Sequence, residues 1–511
     1  MTAIPLHFEL PDSQTAIKFL KKLHKTIDFE IASQQYTIKT FYDSFDWRLY
    51  NADILCEFNQ SKSASYISLI DRNSGVTFVL EEQQDVPRFS DQLQNGRLKT
   101  QLSALLEMRA LLPVSQLPHQ VHHINVLNKD KKTVLRIRLD EYESLANHIT
   151  LQPLKGYDKA LARVSLLLQN SLQLKTTTPS ATLDHALKYQ GRKAQDYGSK
   201  LALKLDPKMR AGQASIIIYR QLLRTIQMNE CNTIADIDSE FLHDFRIAIR
   251  RTRAGLSQIK HTLPSPIVAK YAVFFAWLGQ ITGPTRDMDV YLLSYEQYKA
   301  TLPISLRADI TPLYAFLKDK QIEAQKELAA KLNSPNYRTQ LANWEQYLKA
   351  PLAKKDRAKN AHISIKELAD QRIRKVYKRI LVEGEVINDS SPAEALHDLR
   401  KTCKKLRYLM EFFQSLYPKD KMKFLIKSLK DLQAVLGDFQ DYEVQEINIK
   451  HFSEEMMANN IPSNTFLAMG VLVQHLDAMK CAARDQFAKQ FTLFEQPENQ
   501  RAFKHLFAHK G

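Results

Sequence analysis

The chain has few of the residues that mark several common classes of protein. Only four of its 511 residues are cysteines, Cys56, Cys231, Cys403 and Cys481, and their wide spacing favours neither a disulfide framework nor a zinc site. No apolar segment approaches the roughly 18 residues that span a bilayer, and the first residues lack the charged and apolar regions of a signal peptide. We therefore expect a cytoplasmic protein with reduced thiols, no bound metal or cofactor and no membrane partner.

Glycine is also scarce, with 13 in the whole chain, as long helices require. From about residue 183 onward, apolar residues recur with the 3.6-residue period of helices, and segments typical of strands are missing. Before residue 175, short segments rich in β-branched and aromatic residues occur together with two helical ones. The sequence predicts an α+β domain at residues 1–174, a polar linker at 175–190 and an all-α domain at 191–505.

Acidic residues are too few to balance the basic ones. The chain has 72 Lys and Arg against 56 Asp and Glu, a net charge of +16. The excess lies in one part, because residues 1–178 contain 21 basic and 19 acidic residues, whereas residues 179–511 contain 51 and 37. This charge predicts an anionic partner that binds to the second part of the chain.

One helical sequence occurs twice in that second part. The segments "FLHDFRIAIRRTRAGLSQIK" and "ALHDLRKTCKKLRYLMEFF" begin at residues 241 and 395, so they are 154 residues apart. The same offset relates Arg220 to Arg374 and Asp289 to Glu443. Breaks in the helical period are predicted at matching places, "ITGPTRD" and "VLGDFQD". We infer a duplicated helical unit with pseudo-two-fold symmetry, its halves at about 205–345 and 355–500.

The repeated segment places its cations on one side of a helix. At 100° per residue, four side chains of the first copy share an arc of about 80°, opposite an apolar stripe. These side chains are His243, Arg246, Arg250 and Arg253, and their counterparts in the second copy are His397, Arg400, Lys404 and Arg407. A row with about one cation per turn suits a linear polyanion, and arginine binds phosphate oxygens in a bidentate manner.

Two other interpretations of the basic row remain open at this point. The row could be an ordinary solvated surface, although such surfaces usually alternate charges of opposite sign, and this one contains almost no acid. It could also bind nucleic acid. However, no aromatic residues lie among the cations to stack on bases, and no helix-turn-helix or RNA-recognition motif is visible.

The two segments, followed by "LGQITGPTRDMDV" and "LQAVLGDFQDYEV", resemble the two halves of a CHAD domain over roughly residues 190–500. The resemblance implies two helical bundles related by a pseudo-two-fold axis, which bind inorganic polyphosphate in a basic channel. It also implies that acidic residues such as Asp441 and Glu443 organise contacts between helices. The implied polyphosphate-binding residues are His243, Arg246, Arg250, Arg253, His397, Arg400, Lys404 and Arg407, with Arg220, Arg224, Arg374, Lys378, Lys427 and Lys430 as further candidates.

The segment "YTIKTFYDSFDWRLYNADILCEF" resembles part of a CYTH-type triphosphate tunnel domain, and this resemblance covers about residues 3–170. Enzymes of that family hydrolyse triphosphate with metal ions held by glutamates on the strands. Here the first strand offers His7, Glu9 and Pro11 where the family has Glu-x-Glu-x-Lys. The strand "DILCEFN" lacks the family's arginine pair, and Thr150 and Gln152 replace a later pair of glutamates. The resemblance therefore implies a degenerate domain without catalytic activity.

These features together predict a non-catalytic, polyphosphate-binding protein that is cytoplasmic, bacterial and associated with polyphosphate granules. The first alternative is a nucleic-acid-binding protein. The second is a triphosphatase or polyphosphatase, which would require the N-terminal domain to be active. Arg136 and Arg138 keep some basic character in that domain, and strand alternation places both on one face. The sequence leaves the oligomeric state open.

Overall fold

The computed structural model describes residues 4–11, 15–198, 201, 203–351 and 358–508. The chain divides into two compact units, Met1–Ser199 and Lys200–Gly511. The predicted start of the second helical half, residue 355, lies outside the described residues.

The described residues of the first unit form one antiparallel sheet of nine strands, in the order β5-β4-β3-β2-β6-β7-β8-β1-β9. The strands are β1 (Leu6–Leu10), β2 (Phe29–Asp43), β3 (Ile54–Ser61), β4 (Ser65–Asp71), β5 (Thr77–Glu82), β6 (Leu112–Leu127), β7 (Thr133–Tyr142), β8 (Asn147–Pro153) and β9 (Lys175–Thr176). The accompanying helices are α1 (Ala16–His24), α2 (Arg48–Asn51), α3 (Arg97–Leu106), α4 (Asp158–Leu166) and α5 (Ala181–Tyr189). The predicted α+β class is confirmed.

The two faces of the central strands differ in character because side chains alternate along each strand. In β7, Ile137 and Leu139 are buried in an apolar cluster that includes Phe19 of α1 and Val164 of α4. Alternate residues of β7, such as Arg138 and Asp140, therefore lie on the opposite face. That face carries the polar side chains described below.

The stretch that follows β2 is organised by one carboxylate. Asp43 accepts hydrogen bonds from three backbone amides, those of Ser44 at 2.7 Å, Leu49 at 2.9 Å and Tyr50 at 2.9 Å. These bonds hold the turn and the short helix α2, after which the chain enters β3. The aspartate of the Tyr-Asp stretch therefore has a structural role at this position.

Strand β6 contains two prolines, Pro113 and Pro118, and no strand was predicted from the sequence at this position. Both prolines pair with β2, whereas pairing with β7 begins only at His119. The prolines thus occupy a stretch of β6 that has a partner strand on one side only. A missing amide is tolerated there, as it is on an edge strand.

The predicted linker at residues 175–190 is structured, so that prediction is wrong for this segment. It contains β9 and α5, and Leu183 and Leu187 of α5 are buried with Phe41 and Trp47. The polar, β-branched sequence at its start concealed the apolar face of the helix. The helix packs on the first unit because that face would otherwise be exposed to water.

The secondary structure of the second unit's described residues consists of helices joined by loops, with one isolated bridge between Arg210 and Ser364. This confirms the predicted all-α class. Its helices are α6 (Ala211–Ile234), α7 (Ser239–Gln258), α8 (Ser265–Ile281), α9 (Gly283–Thr301), α10 (Thr311–Leu332), α11 (Pro335–Lys349), α12 (Ile365–Glu385), α13 (Ala393–Phe413), α14 (Lys419–Met456), α15 (Ser463–Phe494) and α16 (Pro497–Leu506).

The duplication is visible in the packing, with one difference between the copies. Helix α6 packs on α7 as α12 packs on α13, and α7 and α13 contact each other. The predicted break at "ITGPTRD" separates α8 from α9, but the one at "VLGDFQD" does not occur, because α14 continues through it. Pro284 explains the difference: it cannot donate within a helix, and the second copy has Asp438 at the matching position.

Helix α15 is, among the described residues, the one helix long and apolar enough to cross a membrane by those two criteria. Buried helices of other proteins meet the same criteria. Ala468 and Leu472 of α15 share an apolar cluster with Ile449 and Phe452 of α14. Asp477 interrupts the apolar sequence of α15, so the helix contains no uninterrupted apolar run of the length sought in the sequence.

Candidate anion-binding site

The rotation of helix α7 is fixed at its start and along its apolar stripe. Asp238 caps the helix by accepting hydrogen bonds from the amides of Glu240 and Phe241. Phe241, Phe245 and Ile249 are at most 1% exposed. The opposite face carries the predicted row: His243, Arg246 and Arg250 are half-buried and Arg253 is exposed. The predicted division of this helix into an apolar and a basic side is confirmed.

Arg246 lies against the junction between α8 and α9. Its Nη1 donates to Thr282 Oγ1 at 2.9 Å and, more weakly, to the Gly279 carbonyl at 3.4 Å. Burial lowers the pKa of Arg246 to about 10; nearby Asp287 opposes this shift, and Arg250 contributes to it. The guanidinium is therefore a partly desolvated cation whose hydrogen-bond partners are neutral, and an anion would stabilise it.

The matching cations of the second copy are held by α14. Arg400 donates to Gln440 Oε1 at 2.6 Å and to Asp441 Oδ1 at 3.0 Å. His397 Nε2 lies 2.7 Å from Glu443 Oε2. These distances confirm that Asp441 and Glu443 organise contacts between helices. They also show that this end of the second row is partly neutralised by the protein itself.

The two rows meet where α7 and α13 pack together. A groove of about 510 Å³ lies between α7, α8 and α13. Its basic lining residues are Arg250, Arg253, Lys401, Lys404 and Lys405, and its other lining residues are Ala254, Leu256, Ser257, Val268, Ala272, Ala276 and Tyr408. The structure thus brings three predicted residues together and adds two lysines that were not predicted. Their spacing on α13 is a signal that could have identified them, since positions 401, 404, 405 and 408 share one face of a helix.

Lys404 shows how closely the cations of the two copies approach each other. Burial lowers its pKa to about 8, with further contributions from Arg400 and from Arg250 of the other copy. The Nε atom of Arg250 is itself buried without a hydrogen-bond partner among the described residues. Both observations indicate a region of concentrated positive charge that the surrounding protein compensates only in part.

The remaining predicted residues lie outside this groove. Arg220 donates to the carbonyl of Leu348 at the end of α11, with Nε at 2.7 Å, and Arg374 Nε lies 3.4 Å from the Asp370 carbonyl of its own helix. Arg407 Nε lies 3.7 Å from Glu411 Oε1. The other four are exposed on their helices: Arg224 on α6, Lys378 on α12, and Lys427 and Lys430 on α14.

The first unit contains a smaller polar cavity of about 280 Å³ on the polar face of its sheet. His7, Thr150 and Gln152, which stand where the resemblance expects glutamates, line this cavity. Glu9 lies instead along a different pocket, 3.9 Å from His185. The cavity also contains four ionisable residues that are absent from the predicted set: Lys39, Glu57, Asp140 and His148.

The charges in this cavity neutralise one another. Lys39 Nζ lies 3.1 Å from Asp140 Oδ2 and 3.6 Å from Glu57 Oε2, and Arg138 Nε donates to Asp140 Oδ1 at 2.7 Å. Burial alone would raise the pKa of Asp140, but Arg138 and Lys39 outweigh it and hold that pKa well below its usual value. Two cations therefore face two carboxylates, which leaves no net charge for a triphosphate to neutralise.

Two histidines complete the cavity in their neutral forms. His7 Nδ1 lies 3.0 Å from His148 Nε2. Burial lowers the pKa of His7 to about 4 and that of His148 to about 3. Among the residues that the structure describes, no group of three or more His, Cys, Asp or Glu side chains is arranged to hold a metal ion.

The helical unit is similar to a known family of domains. Residues 217–449 match the family model of the CHAD domain. No curated protein sequence matches the chain.

Among solved structures, the CHAD domain from the plant Ricinus communis is 25% identical, with 58% of this chain and 96% of that chain covered and a TM-score of 0.49. PptA from Streptomyces chartreusis is 15% identical, covering 56% and 100% of the two chains, with a TM-score of 0.44. HpAC1 from Hippeastrum, described as having a dominant triphosphatase activity, is 14% identical, covering 39% and 100%, with a TM-score of 0.29.

Proposed function

We propose that the helical unit, whose residues 217–449 match the family model of the CHAD domain, binds inorganic polyphosphate through α7 and α13. The CHAD domain is associated with polyphosphate. The supporting observation is the groove in which Arg250 and Arg253 of one copy lie beside Lys404 of the other. Cations from two helices in one groove can contact successive phosphates of a chain. Binding would follow from charge, with arginines contacting oxygens in pairs and lysines adding mobile charges.

A direct test combines one substitution from each copy. Arg250→Glu with Lys404→Glu should weaken binding of long-chain inorganic polyphosphate about a hundredfold or more, because two attractive contacts become repulsive. Isothermal titration calorimetry measures the affinity, and circular dichroism shows whether the helices remain folded. The matched control is Arg224→Glu with Lys378→Glu, which makes the same change in net charge at exposed positions outside the groove. Equal losses in both double variants would contradict the proposed site.

Nucleic acid is the competing ligand for the same charge. Tyr408 is the one aromatic residue among those lining the groove, so the site offers little surface for stacking bases. We expect long-chain polyphosphate to displace DNA at equal phosphate concentration. The reverse order in a gel-shift competition would favour a nucleic-acid-binding protein.

For the first unit, we propose a role without catalysis. Its cavity holds two cations already paired with two carboxylates, and its histidines are neutral. We expect no phosphate release from triphosphate with Mg²⁺ or Mn²⁺ above the uncatalysed rate. Release that Glu57→Gln abolished would show that the cavity is active. We further propose that the protein is cytoplasmic and collects at polyphosphate granules, which microscopy of a fluorescent fusion can test.

A further inference from the structure

We propose that the duplicated helical unit binds the phosphate chain in one groove and not in two. The repeat relates this groove to a second position, formed by the matching residues of the other copy, and Glu411 prevents phosphate from binding there. This inference rests on the proposed function and states how many grooves of the helical unit bind phosphate, namely one. It also assigns Lys401 and Lys405 to the site. A carboxylate introduced at Ser257 should weaken binding, whereas removal of the carboxylate of Glu411 should add binding.

The groove itself contains cations without opposing carboxylates. Among the described residues, no carboxylate oxygen lies within 4.0 Å of the cationic nitrogens of Arg250, Arg253, Lys404 or Lys405. Lys401 Nζ lies 3.0 Å from an oxygen of Asp398, but both side chains are 66% exposed, so this pair is weak.

Ser257 lies among these cations as a small, neutral residue of the lining. The apolar groups of Ala254, Leu256 and Val268 also line the groove. Apolar groups beside the cations lower the local dielectric constant, which strengthens attraction between the cations and phosphate.

The repeat predicts a second groove of the same shape. Adding or subtracting the offset of 154 residues transfers each lining residue to the other copy. The transferred set is Lys404, Arg407, Tyr408, Met410, Glu411, Met422, Ile426 and Lys430 from α13 and α14, with Ile247, Arg250, Arg251 and Ala254 from α7. The decisive difference is that Glu411 stands in the second copy where the groove has Ser257. In addition, Ile247 stands where the groove has Lys401.

At this related position, Glu411 already interacts with the neighbouring cations. Its Oε2 accepts a hydrogen bond from Arg251 Nη2 at 2.9 Å, which joins α13 to α7, and its Oε1 lies 3.7 Å from Arg407 Nε. The side chains of Arg251 and Glu411 are 15% and 16% exposed, so the ion pair is largely shielded from water. A phosphate chain at this position would have to displace the carboxylate or lie beside it, and like charges in such a setting repel strongly.

Two reciprocal substitutions test the asymmetry with inorganic tripolyphosphate as the probe, which is short enough to count sites. Calorimetry should give one site for the unmodified protein. Ser257→Glu should weaken binding about tenfold or more, because it places a carboxylate among the groove cations. Glu411→Ser removes the carboxylate that contacts Arg251 and Arg407 and should add a second site. Glu411→Gln removes the charge while keeping the shape, in case the serine variant does not fold.

Gln213→Glu is the matched control for Ser257→Glu, because it makes the same charge change at an exposed position on α6 and should leave binding unchanged. Two equal sites in the unmodified protein would overturn the inference. So would binding that Ser257→Glu leaves intact, or one site persisting in both folded Glu411 variants. If the unmodified protein binds neither tripolyphosphate nor long chains, the proposed function fails and the inference fails with it.

Discussion

At the scale of single residues, Lys404 connects the geometry of the groove to pH. Its neighbours are the cations Arg250, Arg400 and Arg407 and the carboxylate Asp441, and the pKa of Lys404 is lowered to about 8. Between pH 8 and about 10.5, the folded, free protein has lost this proton while the unfolded chain keeps it. This group therefore makes the free protein more stable as pH rises through 8. Bound phosphate has the opposite preference, since it favours the charged amine.

We predict that polyphosphate affinity falls as pH rises from 7 to 9.5 and that Lys404→Arg reduces this fall. Arginine keeps its charge throughout the range, so the variant loses less affinity at the upper end. Titrations at several pH values and constant ionic strength provide the measurement. Parallel pH profiles for the two proteins would show that a different group controls the dependence.

The buried charges of the first unit predict a large effect on stability. Lys39→Met leaves Asp140 and Glu57 without their shared cation, and breaking such a buried network costs about 3–5 kcal/mol. We expect hydrogen exchange of the β2 and β7 amides to accelerate accordingly. Lys131→Met serves as the control because Lys131 and Asp28 form an exposed pair at 2.6 Å, which contributes about 0–1 kcal/mol. Similar acceleration in both variants would contradict the network's structural role.

The same network predicts a response to acid. The pKa of Asp140 is held below its ordinary value, so its contribution to stability is present above pH 4 and is lost as pH falls through the lowered pKa.

Sequence reasoning found part of the groove at this scale, and it predicted no binding residues for the cavity of the first unit. Arg250, Arg253 and Lys404 followed from helical spacing alone. Glu411 could not be assigned, because its role depends on which face of α13 meets α7. In the first unit, the family pattern directed attention to missing glutamates, whereas the decisive feature is the pairing of Lys39 with Asp140 across strands.

At the scale of elements, close packing between α12 and α15 depends on one glycine. A Cβ atom on Gly384 would lie 2.0 Å from a ring carbon of Phe491, so the helices approach closely there. We predict that Gly384→Ala lowers thermal stability, because overpacking typically costs about 1–3 kcal/mol. Gly470→Ala is the control: a Cβ at Gly470 meets nothing within 4 Å, and alanine should stabilise helix α15 by up to about 1 kcal/mol. Melting curves followed by circular dichroism distinguish the two, and equal shifts would contradict the prediction.

The elements that were predicted wrongly share a physical cause. Strand β6 tolerates Pro113 and Pro118 because β7 does not extend beside them, and helix α5 forms because its apolar face finds a cluster around Trp47. Helix α14 continues through Gly437 because the next residue is not proline. Each outcome depends on a neighbouring element or on one residue that differs between the copies, so local periodicity alone could not supply it.

At the scale of the whole molecule, the positive charge is concentrated in the helical unit. Attraction of polyphosphate by this overall charge must be distinguished from binding by specific contacts in the groove. The fold class and the duplication of the helical unit could be predicted from the sequence, because both depend on patterns that extend over many residues. The asymmetry between the copies could not, because a constant offset predicts two equivalent grooves. It arises from Glu411, whose effect is seen only when its contact with Arg251 is known.

Salt dependence separates attraction by the overall charge from binding by specific contacts. Each phosphate contact releases counterions, so the slope of log affinity against log salt concentration decreases by about one for each contact removed. We predict that Lys401→Gln with Lys405→Gln reduces this slope by about two, because both lysines line the groove. Lys427→Gln with Lys430→Gln removes the same net charge from exposed positions on α14 and should leave the slope nearly unchanged. Equal slopes for the two double variants would mean that polyphosphate responds to the overall charge of the helical unit and not to the groove.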